Sequence, residues 1–411
     1  MDFSHAPHVD DLRAHLTLFM RDRVIPAEQQ VAEELAADPS HWGATATVLA
    51  LKEQARAEGL WNLFRPPHGD RSGLKNVEYA PLAEIMGWSP HLAPEVFNCS
   101  APDTGNMELL DLFGSVEQRR RWLEPLLDGS IRSCFSMTEP DVASSDAANI
   151  RTSMTLDGDD WVIRGTKWWT TGALRPDCAF SLVMGVSDPD AAPARRQSIV
   201  IVPLDSPGLT VVRSTSVLGF DDRHEGGHGE IVLDDVRVPA DHLVANRGDG
   251  FLVAQARLGP GRIHHCMRLI GMAERAIALM VERARTRVAF GLPLLEQGTV
   301  QQWIADARAT VDAARLLVLS AAWRMDTDGA KAARHEISSA KVFVPQTVKR
   351  IIDDAIQVFG AKGLSQDTPL AMLYSQARFL QIADGPDEVH RRSLAKAEAR
   401  TTSPLATSKR L

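Results

Sequence analysis

Apolar positions recur with two different periods along the 411 residues of the chain. From residue 1 to about 130 the spacing is helical. Leu12, Leu16 and Phe19 share one face, Val48, Leu51 and Ala55 another, and Pro26, Pro39, Pro66-Pro67 and Pro90 separate the segments. From 131 to about 246 short β-branched runs take over: Trp161-Val162-Ile163, Ser198 to Val202, Leu209 to Val212, and Ile231 to Leu233. Asp157-Gly158 and Ser206-Pro207-Gly208 supply turn chemistry among them. From 247 onward helical stripes return. One runs through Ile270, Ala273, Ile277, Met280, Val281 and Ala284, a second through Ile304, Ala307, Val311, Ala314, Leu317, Val318 and Ala321, and a third through Val348, Ile351, Ile352, Ala355 and Val358. The pattern predicts an α+β protein, mainly α: an N-terminal helical domain (1–130), a middle β-sheet or barrel domain (131–246) and a C-terminal helical bundle (247–411). The final stretch, from Ala399 to Leu411, is expected to fray.

Composition narrows the partners. Lys and Arg total 45 against 53 Asp and Glu, and this net charge of −8 without a long basic run argues against nucleic acid. Cys99, Cys134, Cys178 and Cys266 lie far apart, as reduced thiols would. No apolar run reaches the roughly 18 residues of a membrane span. The first residues lack a secretory pattern, and Ser408-Lys409-Arg410-Leu411 only faintly resembles a peroxisomal address, so a cytoplasmic protein is expected.

The sequence holds no dinucleotide-type G-x-G-x-x-G after a strand, no Walker-type phosphate loop and no G-x-S-x-G elbow. His264 and His265 are adjacent and point about 100° apart on a helix, and His224 and His228 lie in a glycine-rich loop, so no metal site is expected. Two aromatic and hydroxyl clusters stand out. Phe135-Ser136-Met137-Thr138-Glu139-Pro140 leads to Ser144-Ser145-Asp146, and Lys167-Trp168-Trp169-Thr170-Thr171-Gly172 follows a strand. Trp beside Thr suits a flat heteroaromatic ring, and Ser and Thr with backbone N–H groups suit a phosphate, although a core Trp with ordinary turn residues gives the same pattern. A third segment, Ile382 to Glu388, is broken by Gly385-Pro386. Asp384 there is either a base whose pKa rises by desolvation or a cap for the helix carrying Val389 and Leu394.

Five segments taken together resemble the acyl-CoA dehydrogenase family, over nearly the whole chain. They are Asn98 to Leu110, Met137 to Asp146, Trp168 to Ala173, Leu258 to Arg268 and Ala383 to His390. The similarity is greatest to the branch called family members ten and eleven, whose animal proteins carry a kinase-like region for which 411 residues leave no room. The resemblance implies an N-terminal helical domain, a middle β domain and a C-terminal four-helix bundle. It also implies FAD as cofactor, an acyl-CoA substrate, electron-transferring flavoprotein as acceptor, a homodimer or homotetramer, and α,β-dehydrogenation to the trans-2-enoyl-CoA. Phe135, Met137, Thr138 and Ser145 match the loop along the flavin and its pyrophosphate, and Ser145 also the serine that meets the pantetheine arm. Trp169 and Thr171 match the reactive edge of the isoalloxazine ring. Gly259 and Arg262 match the segment along the thioester chain, and Gly385 adjoins the acid. Arg287 and Phe290, with Gln357, Phe359, Gly360 and Ala361, match positions at a neighbouring subunit's FAD. Pro386 and Glu388 match positions beside the adenosine part of FAD.

Asp384 falls where most of the family carries a catalytic Glu, and the resembled branch also has Asp. The alternative base position is Gly261, which has no acid, and the family's Glu-His-Gln run reads Glu296-Gln297-Gly298 here. Competing readings are a flavin oxidase on the same fold (nitroalkane-oxidase-like or acyl-CoA oxidase), conversion of 4-phosphorylated hydroxyacyl-CoA with Asp103, Asn106, His264 and His265 near the substituent, and a non-catalytic acyl-CoA-binding protein.

Overall fold

The computed structural model describes residues 4–68 and 72–400. The possible peroxisomal address and most of the terminal stretch expected to fray lie outside the described residues. Helices come first in the chain: α1 (Pro7–Phe19), α2 (Ile25–Ala37), α3 (Ala46–Ala57), α4 (Asn76–Met86), α5 (Ala93–Val96), α6 (Asp103–Phe113), α7 (Val116–Gln118) and α8 (Glu124–Asp128). Seven strands follow: β1 (Arg132–Ser136), β2 (Ser153–Asp157), β3 (Asp160–Thr171), β4 (Cys178–Val186), β5 (Gln197–Pro203), β6 (Leu209–Thr215) and β7 (His228–Pro239). The remainder is α9 (Gly250–Thr286), a small hairpin of β8 (Val288–Ala289) and β9 (Leu292–Pro293), then α10 (Gly298–Asp328), α11 (Arg334–Phe359), α12 (Leu370–Phe379) and α13 (Asp387–Glu398). The chain forms two compact units, 1–75 with 89–261 and 76–88 with 262–411. Helix α4 thus joins the second unit although its sequence lies among the N-terminal helices.

In the first unit the strands form one seven-stranded sheet in the order β1-β4-β2-β3-β7-β6, with β5 paired to β4. β1 runs parallel to β4, while β3–β7, β4–β5 and β6–β7 are antiparallel. β4 and β5 are buried nearly throughout and read as near-continuous apolar runs, with Phe180, Leu182, Val183 and Met184 in β4 and Ile199 to Val202 in β5. Cys134, Met154, Trp161, Ile163, Val183, Val200, Val202, Ile231 and Val236 build the core. β3 is interrupted by a register shift between Lys167 and Thr170. The extra residue re-aims the side chains there, and Trp169 takes a left-handed backbone at φ 52°.

In the second unit the three apolar stripes become the buried faces of α9, α10 and α11. Val311, Ala314, Val318, Ala321 and Met325 are buried along α10, and Val344, Val348, Ile352 and Ala355 along α11. The Asp326 carboxylate of α10 accepts the backbone N–H groups of Asn76 and Val77 at 2.9 Å each, satisfying donors that the first turn of α4 leaves open. α4 and α9 cross closely: a Cβ on Gly271 would sit 1.8 Å from the Glu84 carbonyl oxygen, and one on Gly87 2.1 Å from that of Arg268. Only glycine permits that approach.

Candidate active site

Within the first unit the two aromatic clusters meet. The Ser136 hydroxyl of β1 lies 3.2 Å from that of Thr170, and the Trp168 N–H donates to the Thr138 carbonyl at 3.0 Å. Beneath them Lys167 is wholly buried and donates to the Met137 carbonyl at 3.0 Å and to Glu139 at 2.8 Å. Glu139 also accepts the Thr152 hydroxyl at 2.6 Å and the backbone N–H groups of Arg151 and Thr152 at 2.8 Å each. Burial pushes Glu139 up, but the Lys167 charge and these hydrogen bonds outweigh it and hold the carboxyl below its ordinary value. Burial carries Lys167 down to about 8 against the pull of Glu139. The pair therefore fastens the loop bearing Met137 and Thr138 to β3. Ser145 stands exposed on the same loop, while Ser144 is buried and accepts the Glu139 N–H at 2.9 Å.

Trp168 and Trp169 stand edge to face with ring centroids 6.1 Å apart. The Trp168 indole N–H is buried without a partner, a donor left for a bound group. Trp169 stacks obliquely on His228 at 5.4 Å. His228 in turn joins Thr171 (2.9 Å, at Nδ1) to Asp222 (3.0 Å, at Nε2). The Arg257 guanidinium covers the Phe135 ring at 4.2 Å and donates to Asn106 at 2.9 Å. Both Asn106 amide donors go to Ser133 and the Cys134 carbonyl. Asp103 is engaged by the Ser133 N–H and hydroxyl, with Arg132 at 3.5 Å. Asp103 and Asn106 thus brace the start of β1.

In the second unit Asp384 lies in the break between α12 and α13, with a left-handed backbone at φ 57° followed by Gly385 at 101°. The residue before the first helical position of α13 is Pro386, and it makes no side-chain cap, so Asp384 does not cap that helix. Arg262, half-buried on α9, donates from Nε to the Asp384 carbonyl at 2.8 Å. His265 Nε2 is 3.4 Å from the Asp384 carboxylate. Lys341 of α11, which is buried, donates to the Leu380 carbonyl at the end of α12. Asp387 accepts Gln346 at 2.8 Å and Gln381 at 3.3 Å, which seats the start of α13. His264 turns the other way, edge-on to Tyr79 at 4.9 Å, and burial takes it down to about 3. No group of three or more metal-ligating side chains could hold a metal among the described residues.

Other expected residues lie far along the same helices. Phe359 is 18 residues from Lys341 on α11, about 27 Å at about 1.5 Å per residue. Phe290 occupies the tip of the β8–β9 hairpin beyond the end of α9, at φ 54° and wholly exposed. Arg283 reaches over the Phe359 ring at 5.5 Å, so the ends of α9 and α11 meet there. Arg287, Phe290 and the run from Gln357 to Ala361 therefore form a second cluster, distant from Asp384. Glu388 is exposed and pairs with Arg391 at 3.2 Å.

Residues 134–236 match the family profile "Acyl-CoA dehydrogenase, middle domain", and 248–399 match "Acyl-CoA dehydrogenase, C-terminal domain". The chain is 56% identical to "Probable acyl-CoA dehydrogenase FadE2" of Mycobacterium tuberculosis over 97% of each chain. It belongs to the acyl-CoA dehydrogenase family. With mouse "Acyl-CoA dehydrogenase family member 10" it shares 51% identity over 97% of this chain, but it spans only 38% of that longer protein. It spans half of human family member 11, at 49% identity. A solved Mycobacterium abscessus structure assigned to the acyl-CoA dehydrogenases superposes with a TM-score of 0.93 at 49% identity, over 97% of this chain and 99% of that one.

The acyl-CoA dehydrogenases are flavoprotein oxidoreductases, and this chain shares their fold. Among the described residues no helix is long and apolar enough to cross a membrane. All four cysteines are buried and outside any disulfide. Sequence reading left Lys167, Glu139, Asp222, His228, Arg257 and Arg268 out of the candidate site. Glu139 and Lys167 lay inside the quoted clusters, and a lysine within a strand of apolar neighbours was a usable sign of a buried ion pair. Asp222 gave no sign, because only the fold brings it to His228.

Proposed function

We propose that this chain is an FAD-dependent acyl-CoA dehydrogenase that converts an acyl-CoA thioester to its trans-2-enoyl ester, with Asp384 as the base. The setting of Asp384 carries the reading: an acid at a helix break, pinned through its own carbonyl by a half-buried arginine and faced by a histidine. The α-C–H of a thioester is weakly acidic, so the base needs a fixed approach and hydrogen-bond donors at the thioester oxygen. Asp384 takes the α-proton, and its own peptide N–H serves as one donor to the thioester carbonyl. Bound FAD supplies a two-electron acceptor that receives the β-hydrogen with its electron pair at N5. Phe135, Met137, Thr138, Ser145, Trp169 and Thr171 hold that cofactor, and the buried, unpartnered Trp168 indole N–H fits a site built to receive a polar ring. Gly259, Arg262 and Gly385 line the thioester chain.

Pro386 and Glu388 lie beside the adenosine part of FAD, while Arg287, Phe290, Gln357, Phe359, Gly360 and Ala361 serve the FAD of a neighbouring copy, so the working protein is a homodimer or homotetramer. The exposed Phe290 ring supports this, because so large an apolar surface at a hairpin tip gains by being covered. Electrons then pass to an electron-transferring flavoprotein. The purified protein should be yellow, and anaerobic addition of saturated acyl-CoA esters from butanoyl to palmitoyl should bleach it. Asp384→Asn should bind flavin and lose bleaching by about 1000-fold or more. A colourless protein, or bleaching by Asp384→Asn at the native rate, overturns the reading.

A further inference from the structure

We propose that His265 is a positioning residue that holds the Asp384 carboxylate, and that Arg268 sets the nitrogen on which His265 carries its proton. The inference rests on Asp384 being the base. Arg262, His265 and Arg268 follow one another at three-residue spacing on α9 and lie along one stripe. Arg262 Nε reaches the Asp384 carbonyl at 2.8 Å, His265 Nε2 lies 3.4 Å from Asp384 Oδ2, and an Arg268 guanidinium nitrogen lies 3.1 Å from His265 Nδ1. A guanidinium has donors only. His265 Nδ1 must therefore accept, and the neutral ring must carry its proton on Nε2, facing the carboxylate. The histidine can act towards Asp384 in one sense only, as a donor.

The supports of this arrangement are rigid. Arg268 is buried, and its backbone carbonyl sits where α4 and α9 touch at Gly87. Burial keeps His265 below the ordinary imidazole value, with Arg268 and Lys341 reinforcing and Asp384 opposing, so the ring stays neutral at neutral pH. The other charged or titratable groups around the pair are Arg262, His264 and Cys266 on α9, Lys341 on α11, and Asp387 and His390 on α13. An aspartate is one methylene shorter than the glutamate usual at this position. It places its oxygens with two torsions where glutamate has three, and a donor at Oδ2 fixes the broad terminal one.

The test uses the flavin-loaded protein and whichever ester from butanoyl- to palmitoyl-CoA bleaches the wild type fastest. His265→Gln keeps an N–H donor for Asp384 and an acceptor for Arg268. His265→Leu removes both, and His265→Glu offers Arg268 a partner while presenting Asp384 with a second carboxylate. The expected result is a bleaching rate within about threefold of wild type for Gln and at least about tenfold lower for Leu and Glu, with KM little changed. The acid limb of kcat/KM should move up by about one pH unit in Leu and Glu, since the carboxylate loses a donor to its charged form. Equal rates and pH profiles in Gln, Leu and Glu overturn the proposal, as does equal impairment of all three. If Leu fails to fold, the Gln and Glu pair decides alone. Asp384→Asn is run alongside: full activity there, or a wild-type protein bleached by no ester, overturns the reading of the base itself, whereas an inactive Asp384→Asn beside a normal His265→Glu overturns only the positioning role.

Discussion

The Thr171 hydroxyl lies 2.9 Å from Nδ1 of His228, and the other nitrogen of that ring lies 3.0 Å from Asp222. All three side chains are tied into one line running back from the strand end that also carries Trp169. An ionised Asp222 can only accept, so His228 donates to it from Nε2, and a neutral ring then accepts from Thr171. The histidine thereby sets the direction of the hydroxyl that the family resemblance places at the flavin's reactive edge. His228→Phe should weaken FAD binding by roughly tenfold, about the worth of one lost hydrogen bond with its partner stranded. His228→Gln should recover most of it. Fluorescence titration of apoprotein with FAD measures both.

The buried Lys167–Glu139 pair predicts a stability effect with little direct chemistry. Removing one partner strands the other charge in the protein interior. Lys167→Met should cost about 3–5 kcal/mol, and the double change with Glu139→Gln should recover part of that loss. Urea unfolding of the flavin-loaded protein, read at matched flavin content, gives both numbers. Because Lys167 also holds the Met137 carbonyl, the single variant should release flavin more readily.

Acid should destabilise the second unit earlier than carboxylates alone would. Burial holds His264 at about 3 and His390 at about 4, against about 6.5 in an unfolded chain. Both folded values are depressed, so below about pH 6.5 the unfolded chain takes up protons that the folded one refuses. The stability present above that pH is lost as the pH falls towards about 4, at up to about 1.4 kcal/mol per pH unit for each histidine. Urea midpoints between pH 7.5 and 5 should show this slope, and His390→Phe should flatten it.

The α4–α9 crossing is the least tolerant backbone contact among the described residues. Gly271→Ala would drive a methyl group into the Glu84 carbonyl and should lower stability by about 3 kcal/mol or more. Since Arg268 sits at the same crossing, the variant should also disturb the His265–Asp384 contact. A thermal melt together with a kcat/KM pH profile would register the two effects separately.

The division of the chain into helical, strand and helical regions was legible in the sequence, because the burial period of an element is written into its own residues. The α9, α10 and α11 stripes show this, as do the short apolar runs of β5 and β7. The break at Gly385-Pro386 was legible for the same local reason: proline cannot donate, and glycine reaches a φ that other residues avoid. Asp384 could be singled out there, but whether it caps the next helix could not be read, because only the fold gives the cap position to Pro386. What the tertiary structure decided is which distant groups face each other. Asp222 reaches His228, Glu139 meets Lys167 and Arg151, α4 leaves its sequence neighbours to pack on α10, and Arg262 finds the carbonyl of a residue 122 positions away. Each of those partners depends on how strands and helices cross in space, and a one-dimensional pattern of polar and apolar residues carries no record of the crossing.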